Sequence, residues 1–225
     1  MDIKYFDKDL LRFLFPQRTR LTTEYGLTMD SSDELIRTSI TKMVMRDYDM
    51  IKDFLPYSAC NVLDIGCGLG LINLALGEKY SDCDFYLLDK TQELNTEKIS
   101  GFNEKYTFYN SLPAAKKILQ NNGINESKIH IYEVEDENIN LLKEYKFDVI
   151  LSFLSCGWHY SVDLYRELIL SSLSDDGIVI LDIRHNTNEL EKAKEFLTLI
   201  DSVVNTAESK HTGGTIGDRY IFRKK

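Results

Sequence analysis

The run Val62-Leu63-Asp64-Ile65-Gly66-Cys67-Gly68-Leu69-Gly70 constrains this chain more than any other stretch. It reads as a buried strand that passes straight into a glycine-rich turn. Leu71, Ile72, Leu74, Ala75 and Leu76 then supply an apolar set suited to a buried helix. Strand, turn and helix in that order form a cradle for a nucleotide, because the helix start presents unpaired N–H groups. Glycine lacks a Cβ, so it can adopt positive φ and let a ligand approach the backbone. Leu71 stands where the dinucleotide pattern G-x-G-x-x-G needs its third glycine, and Gly70 comes one residue early, which argues against an NAD-dependent oxidoreductase. Asp64, just before the first glycine, would face the ligand and suits an amine or another cationic group. Phe85-Tyr86-Leu87-Leu88-Asp89 reads as a second strand that also ends in an acid. Asp89 follows Asp64 by about 25 residues, close to the spacing that puts a carboxylate on ribose hydroxyls.

The run VLDIGCGLG, with Asp89 closing the next strand, resembles motifs I and II of the class I S-adenosylmethionine-dependent methyltransferases. The resemblance implies S-adenosyl-L-methionine as cofactor and one methyltransferase domain over residues 1–225. Residues 1–56 would form an N-terminal helical cap or lid, and residues 57–225 the cofactor-binding core.

Along the chain, residues 7–15 form a short amphipathic segment that stops at Pro16. Arg18 and Arg20 fall in an irregular stretch, read as a solvated connection or as a lid whose arginine binds a carboxylate. Ser31 and Glu34 have capping-box spacing before a helix that carries apolar residues to Phe54 and ends at Pro56. Residues 90–107 are a long polar connection. Ala114 to Leu119 mark a helix. Ile129 to Val134 mark a third strand, Phe147 to Ser152 a fourth and Ile178 to Asp182 a fifth. Helices are expected around residues 161–173 and 188–200. Two segments flanking Gly213, Gly214 and Gly217 suggest a terminal hairpin. The fold class expected is α/β: a doubly wound, mostly parallel sheet of Rossmann-like methyltransferase type, with N-terminal helices and a C-terminal antiparallel hairpin.

In an open parallel sheet, ligands bind beyond the carboxyl ends of the strands. Asp64, Gly66, Gly68, Asp89, Glu133, Ser152 and Asp182 would therefore share one rim. The resemblance implies that Gly66 and Gly68 approach the methionine and ribose portion of the cofactor and that Asp89 accepts from the ribose hydroxyls. It also implies that Glu133 and Val134 meet the adenine edge, a role that Glu135 or Asp136 would fill after a slip of two residues. Asn110 and Ser111, at a helix start, are further candidates for the pocket, and Ser152 counts with the cofactor residues.

The segment Leu154-Ser155-Cys156-Gly157-Trp158-His159-Tyr160 follows the fourth strand and holds the only tryptophan. A hydroxyl acceptor must lose its proton on methylation, and histidine titrates near neutrality. His159 is the candidate general base, against the alternative of a structural histidine. Trp158 and Tyr160 would wall the acceptor pocket or shelter the cationic sulfur. Arg184 would bind an anionic acceptor, with His185 beside it, or form a surface ion pair. The motifs FYNSL (108–112), SFLSCGWHY (152–160) and LDIRHNT (181–187) resemble a narrower group, the bacterial sugar O-methyltransferases associated with surface polysaccharides.

A net charge of −9 disfavours nucleic acid as a partner. The four cysteines form no C-x-x-C pair, so no metal site and no disulfide framework is expected, although Asp182 leaves a metal-dependent variant open. No apolar run approaches a membrane span, and no signal peptide is seen. The expectation is a cytoplasmic monomer or homodimer that acts on a small molecule. The rivals are N- or phosphate-type methyl transfer and a non-catalytic cofactor-binding protein.

Overall fold

The computed structural model describes residues 1–15, 18, 20–91, 110–204 and 217–225. The expectations about the long connection, about Phe108 and Tyr109 and about the glycines at 213 and 214 lie wholly or largely outside those residues. The chain opens on a 3-10 turn, Lys8–Leu10, then helices α1 (Leu11–Leu14), α2 (Arg20–Thr23) and α3 (Asp33–Asp49). The cap of α3 falls one residue later than expected. Ser32 Oγ accepts the Leu35 N–H at 3.3 Å, whereas Ser31 Oγ accepts from Thr28 in the preceding turn. Ile51 and Phe54 follow the helix in turns rather than extending it.

From there strands and helices alternate: β1 (Asn61–Ile65), α4 (Ile72–Lys79), β2 (Asp84–Asp89), α5 (Leu112–Asn121), β3 (Ile129–Glu133), α6 (Asp136–Leu142), β4 (Phe147–Ser152), α7 (Arg166–Ser172), β5 (Leu173–Arg184), α8 (Glu189–Phe196), β6 (Leu197–Val204) and β7 (Gly217–Lys224). The sheet order is β3-β2-β1-β4-β5-β7-β6. Strands β1 to β5 pair in parallel, and β7 runs antiparallel to both of its neighbours. The expected antiparallel ending is present, with one correction. Residues 197–200 are strand rather than helix, because they pair with β7 from Leu197 onward.

Both faces of the central strands are covered, as a parallel sheet requires. Alternation assigns the faces. Leu63, Ile65, Leu88, Ile150, Val179 and Leu181 pack with residues of α7 and α8. Val62, Phe85, Val149, Leu151, Ile178 and Ile180 pack with Ile72 and Leu76 of α4 on the opposite face. Asp64 and Asp182 have the parity of this second set, so both point toward the side where α3 and α4 lie. Residues of α1, α2 and α3 share a hydrophobic cluster with Leu69, Leu74, Leu87 and Leu119. The N-terminal helices thus lie directly beside the glycine turn.

Candidate active site

The order of the strands reverses between β1 and β4, and the crevice at such a switch point is where a ligand fits. The turn after β1 places Gly66, Gly68 and Gly70 at φ 68°, 56° and 67°. Its far side is tied to β2. Asp89 Oδ2 accepts the Gly68 N–H at 2.6 Å, and Oδ1 accepts the Lys90 N–H at 2.6 Å. Glu133, opposite Asp89 in the β2–β3 register, accepts the Thr91 N–H at 2.8 Å. Val134 donates its N–H to the Asp89 carbonyl at 3.0 Å. Asp89, Glu133 and Val134 therefore meet at one end of the rim, and Glu133 serves the backbone leaving β2.

Asp64 is 2% exposed and receives the Asn73 amide at 2.7 Å; that amide also reaches the Gly70 carbonyl at 3.2 Å. Burial raises the Asp64 carboxyl to about 7, against the opposing pull of the Asn73 bond. Burial likewise raises Asp89 to about 6, although the Gly68 and Lys90 N–H groups favour its charged form. Both acids thus have suppressed ionisation at the ends of neighbouring strands, the kind of place where functional groups cluster.

Asp64, Gly66, Gly68 and Leu69 line a cleft with Arg18, Asp47 and Phe153. Arg18 Nη1 lies 3.3 Å from Asp47 Oδ2. Arg18 is thus a cleft residue, not part of a solvated connection. Asn110 is 2% exposed, and neither its amide nitrogen nor its oxygen has a hydrogen-bond partner. An orphaned buried amide fits a ligand that brings both a donor and an acceptor, as a purine edge does. Ser111 caps α5, accepting from the Ala114 N–H at 3.3 Å. The glycine cradle and the two strand-end carboxyls fit S-adenosylmethionine.

Two of the expected cofactor residues also serve the fold itself. Ser152 is fully buried; its hydroxyl donates to the Ile65 carbonyl at 2.6 Å and accepts the Cys156 N–H at 2.9 Å. Both functions of that hydroxyl are engaged by the chain itself. Gly66 is required by its own neighbourhood, because a Cβ there would lie 2.0 Å from Ser155 Oγ. Its missing side chain accommodates the loop after β4.

That loop is tightly wound. Leu154 has φ 61° and Gly157 φ 85°. The N–H groups of Trp158, His159 and Tyr160 all converge on the Ser155 carbonyl at 2.8–3.1 Å. His159 and Tyr160 are half-buried. Burial, with the Asp89 charge adding to it, raises the Tyr160 hydroxyl to about 12, so Tyr160 stays a neutral phenol. Trp158 is 7% exposed and packs on Gly217, where an added Cβ would sit 2.0 Å from the ring. Trp158 thus braces the starts and ends of neighbouring strands. Arg184 stacks on the same ring, with its guanidinium carbon 5.3 Å from the centroid. The Arg184 Nε is buried without a partner, and desolvation lowers the arginine's pKa. His185 Nε2 lies 2.8 Å from Asp218 Oδ2. Cys156 is fully buried, and burial holds its thiol in the protonated form, so it is no nucleophile.

Sequence reasoning missed one group of residues. Asp182, expected on the rim, is fully buried against Arg219 of β7. Arg219 Nε lies 2.7 Å from Asp182 Oδ1, and Nη2 lies 3.0 Å from Oδ2. This engagement excludes Asp182 as an open metal ligand, and no cluster of three or more metal-ligating side chains occurs among the described residues.

No family model and no curated protein matches the chain. Solved structures match it in fold. The StiE O-MT segment is 14% identical over 92% of this chain and 81% of that one, with a TM-score of 0.54. The mitomycin 7-O-methyltransferase MmcR is 14% identical over 97% and 68%, with a TM-score of 0.51. An O-methyltransferase family 2 protein from Planctomyces limnophilus, solved with apigenin, is 14% identical over 96% and 65%, with a TM-score of 0.50. At such identities the likeness is one of fold: the chain has the Rossmann-like methyltransferase architecture.

Proposed function

We propose that this protein is a methyltransferase that uses S-adenosyl-L-methionine to methylate a hydroxyl of a small acceptor. The observation that carries the proposal is the closed contact between the Gly68 N–H and Asp89, with the buried Asp64 beneath the same turn. When bound, the cofactor supplies an electrophilic methyl group on a cationic sulfur. In this reading Asp89 accepts from the ribose, Asn110 meets the adenine, and Asp64 and Arg18 receive the ammonium and carboxylate of the amino-acid end. His159, on the loop after β4, takes the proton from the acceptor hydroxyl as general base. Arg184 and Tyr160 face the acceptor, a sugar, nucleotide sugar or phosphorylated sugar of surface-glycan biosynthesis.

No helix among the described residues is long and apolar enough to cross a membrane. We place the protein in the cytoplasm as a monomer or homodimer, without a nucleic-acid partner. A second reading, transfer to an N- or phosphate-type acceptor, draws on the partly buried Arg184 cation, which suits an anionic group. Proximity alone would then serve, without a base.

Calorimetry with S-adenosylhomocysteine and with NADH tests the cofactor class. The reading expects binding of the first and no heat from the second; binding of NADH alone overturns it.

A further inference from the structure

We propose that the buried ion chain Asp182–Arg219–Asp47 is a positioning device for Arg18, holding it at the cofactor's amino-acid end. The inference rests on the methyltransferase reading above. Arg219 is fully buried, and its fork grips Asp182 directly across the β5–β7 register. The same guanidinium reaches α3: Nη1 donates to the Asp47 carbonyl at 3.2 Å, and Nη2 lies 3.4 Å from Asp47 Oδ1. The other carboxylate oxygen of Asp47 is the one that meets Arg18. Four charges of alternating sign thus run from the inside of the sheet to the cleft.

The division of Asp47 between two arginines is the point. Arginine and carboxylate prefer a two-point fork. Arg219 engages Oδ1 and Arg18 engages Oδ2, so one carboxylate spans the two cations. The Arg219 guanidinium also lies 3.5 Å from the centre of the Phe153 ring, and Phe153 lines the same cleft. Arg219 therefore sets two parts of the cleft wall without entering it. A buried ion pair is often no more stabilising than apolar residues of the same size, so its presence here points to geometry rather than to stability.

Two ligands separate positioning from general support. S-adenosylhomocysteine carries the amino-acid end; 5′-methylthioadenosine has the same adenosine and thioether but lacks that end. Asp47→Asn removes the charge that Arg18 pairs with, and Arg219→Lys keeps a cation beside Asp182 while losing the fork, which guards against loss of the fold. Calorimetry should show S-adenosylhomocysteine weakened about tenfold in both variants, with 5′-methylthioadenosine unchanged. Adding Arg18→Ala to either variant should cost far less than it costs the parent, since coupled residues do not add. Equal weakening of both ligands, or of neither, overturns the positioning role alone. A parent protein that binds neither ligand overturns the methyltransferase reading and this inference with it.

Discussion

The rim of this sheet has two halves, built on different principles. At the ends of β1, β2 and β3, carboxylates take backbone N–H groups: Asp89 holds Gly68, and Glu133 holds Thr91. At the ends of β4, β5 and β7, side chains pack on each other: Trp158 on Gly217, Arg184 on Trp158 and Asp182 on Arg219. The first half presents polar groups that a ligand can share or displace. The second is a rigid buttress that aims a few exposed groups. Substitutions in the first half should therefore move ligand affinity, and those in the second should move stability or turnover, except along the Asp182–Arg219–Asp47 chain that reaches Arg18.

The largest effect expected is on turnover. His159→Ala should lower it by about 100- to 10,000-fold under the hydroxyl reading, with S-adenosylhomocysteine affinity retained. Steady-state kinetics against calorimetry checks this, and unchanged turnover would favour the acceptors that need no base. Next comes Asp89→Ala, which should weaken S-adenosylhomocysteine by roughly 1.5–3 kcal/mol. Third, Gly217→Ala should destabilise the fold by about 1–3 kcal/mol, through the clash with Trp158, and leave affinity unaltered. Denaturant melts measure the former; if affinity fell as well, the Trp158–Gly217 packing would not be separable from the ligand-binding half.

The smallest effect is the pH response. Asp64 and Asp89 titrate near 7 and 6, above the ordinary carboxylate value of 3.8. Their contribution to the stability of the ligand-free protein is fully present below that ordinary value. It is lost as pH rises through the folded values. Binding runs the other way. A ligand ammonium favours the charged Asp64, so binding releases a proton at pH 5.5, and affinity should climb toward pH 7 by at most about tenfold per unit. Calorimetry in buffers of different ionisation heat detects that proton, and a flat profile would place the amino-acid end elsewhere.

The same division explains what could be read from the sequence. The glycine turn, both strand-end acids and the five parallel strands depend on neighbours within a few residues, and each was legible. The opposite half depends on distant partners. Nothing beside Asp182 in sequence announces Arg219, 37 residues on. Nothing near Trp158 in sequence announces that Gly217 packs against its ring. Ser152 sits at a strand end like the binding residues, but its hydroxyl closes the bend after β4. Residues 197–200 suit a helix in isolation; only pairing with β7 decides for strand.

The position of β7 has one more consequence. It is seventh in order along the chain yet lies between β5 and β6. During synthesis, Asp182 must wait for 37 further residues before its counterion leaves the ribosome. Until then that flank of the nascent sheet exposes an unzipped edge with an uncompensated anion beside it. β7 is thus a latch: the Asp182 ion pair closes only once Arg219 is in place.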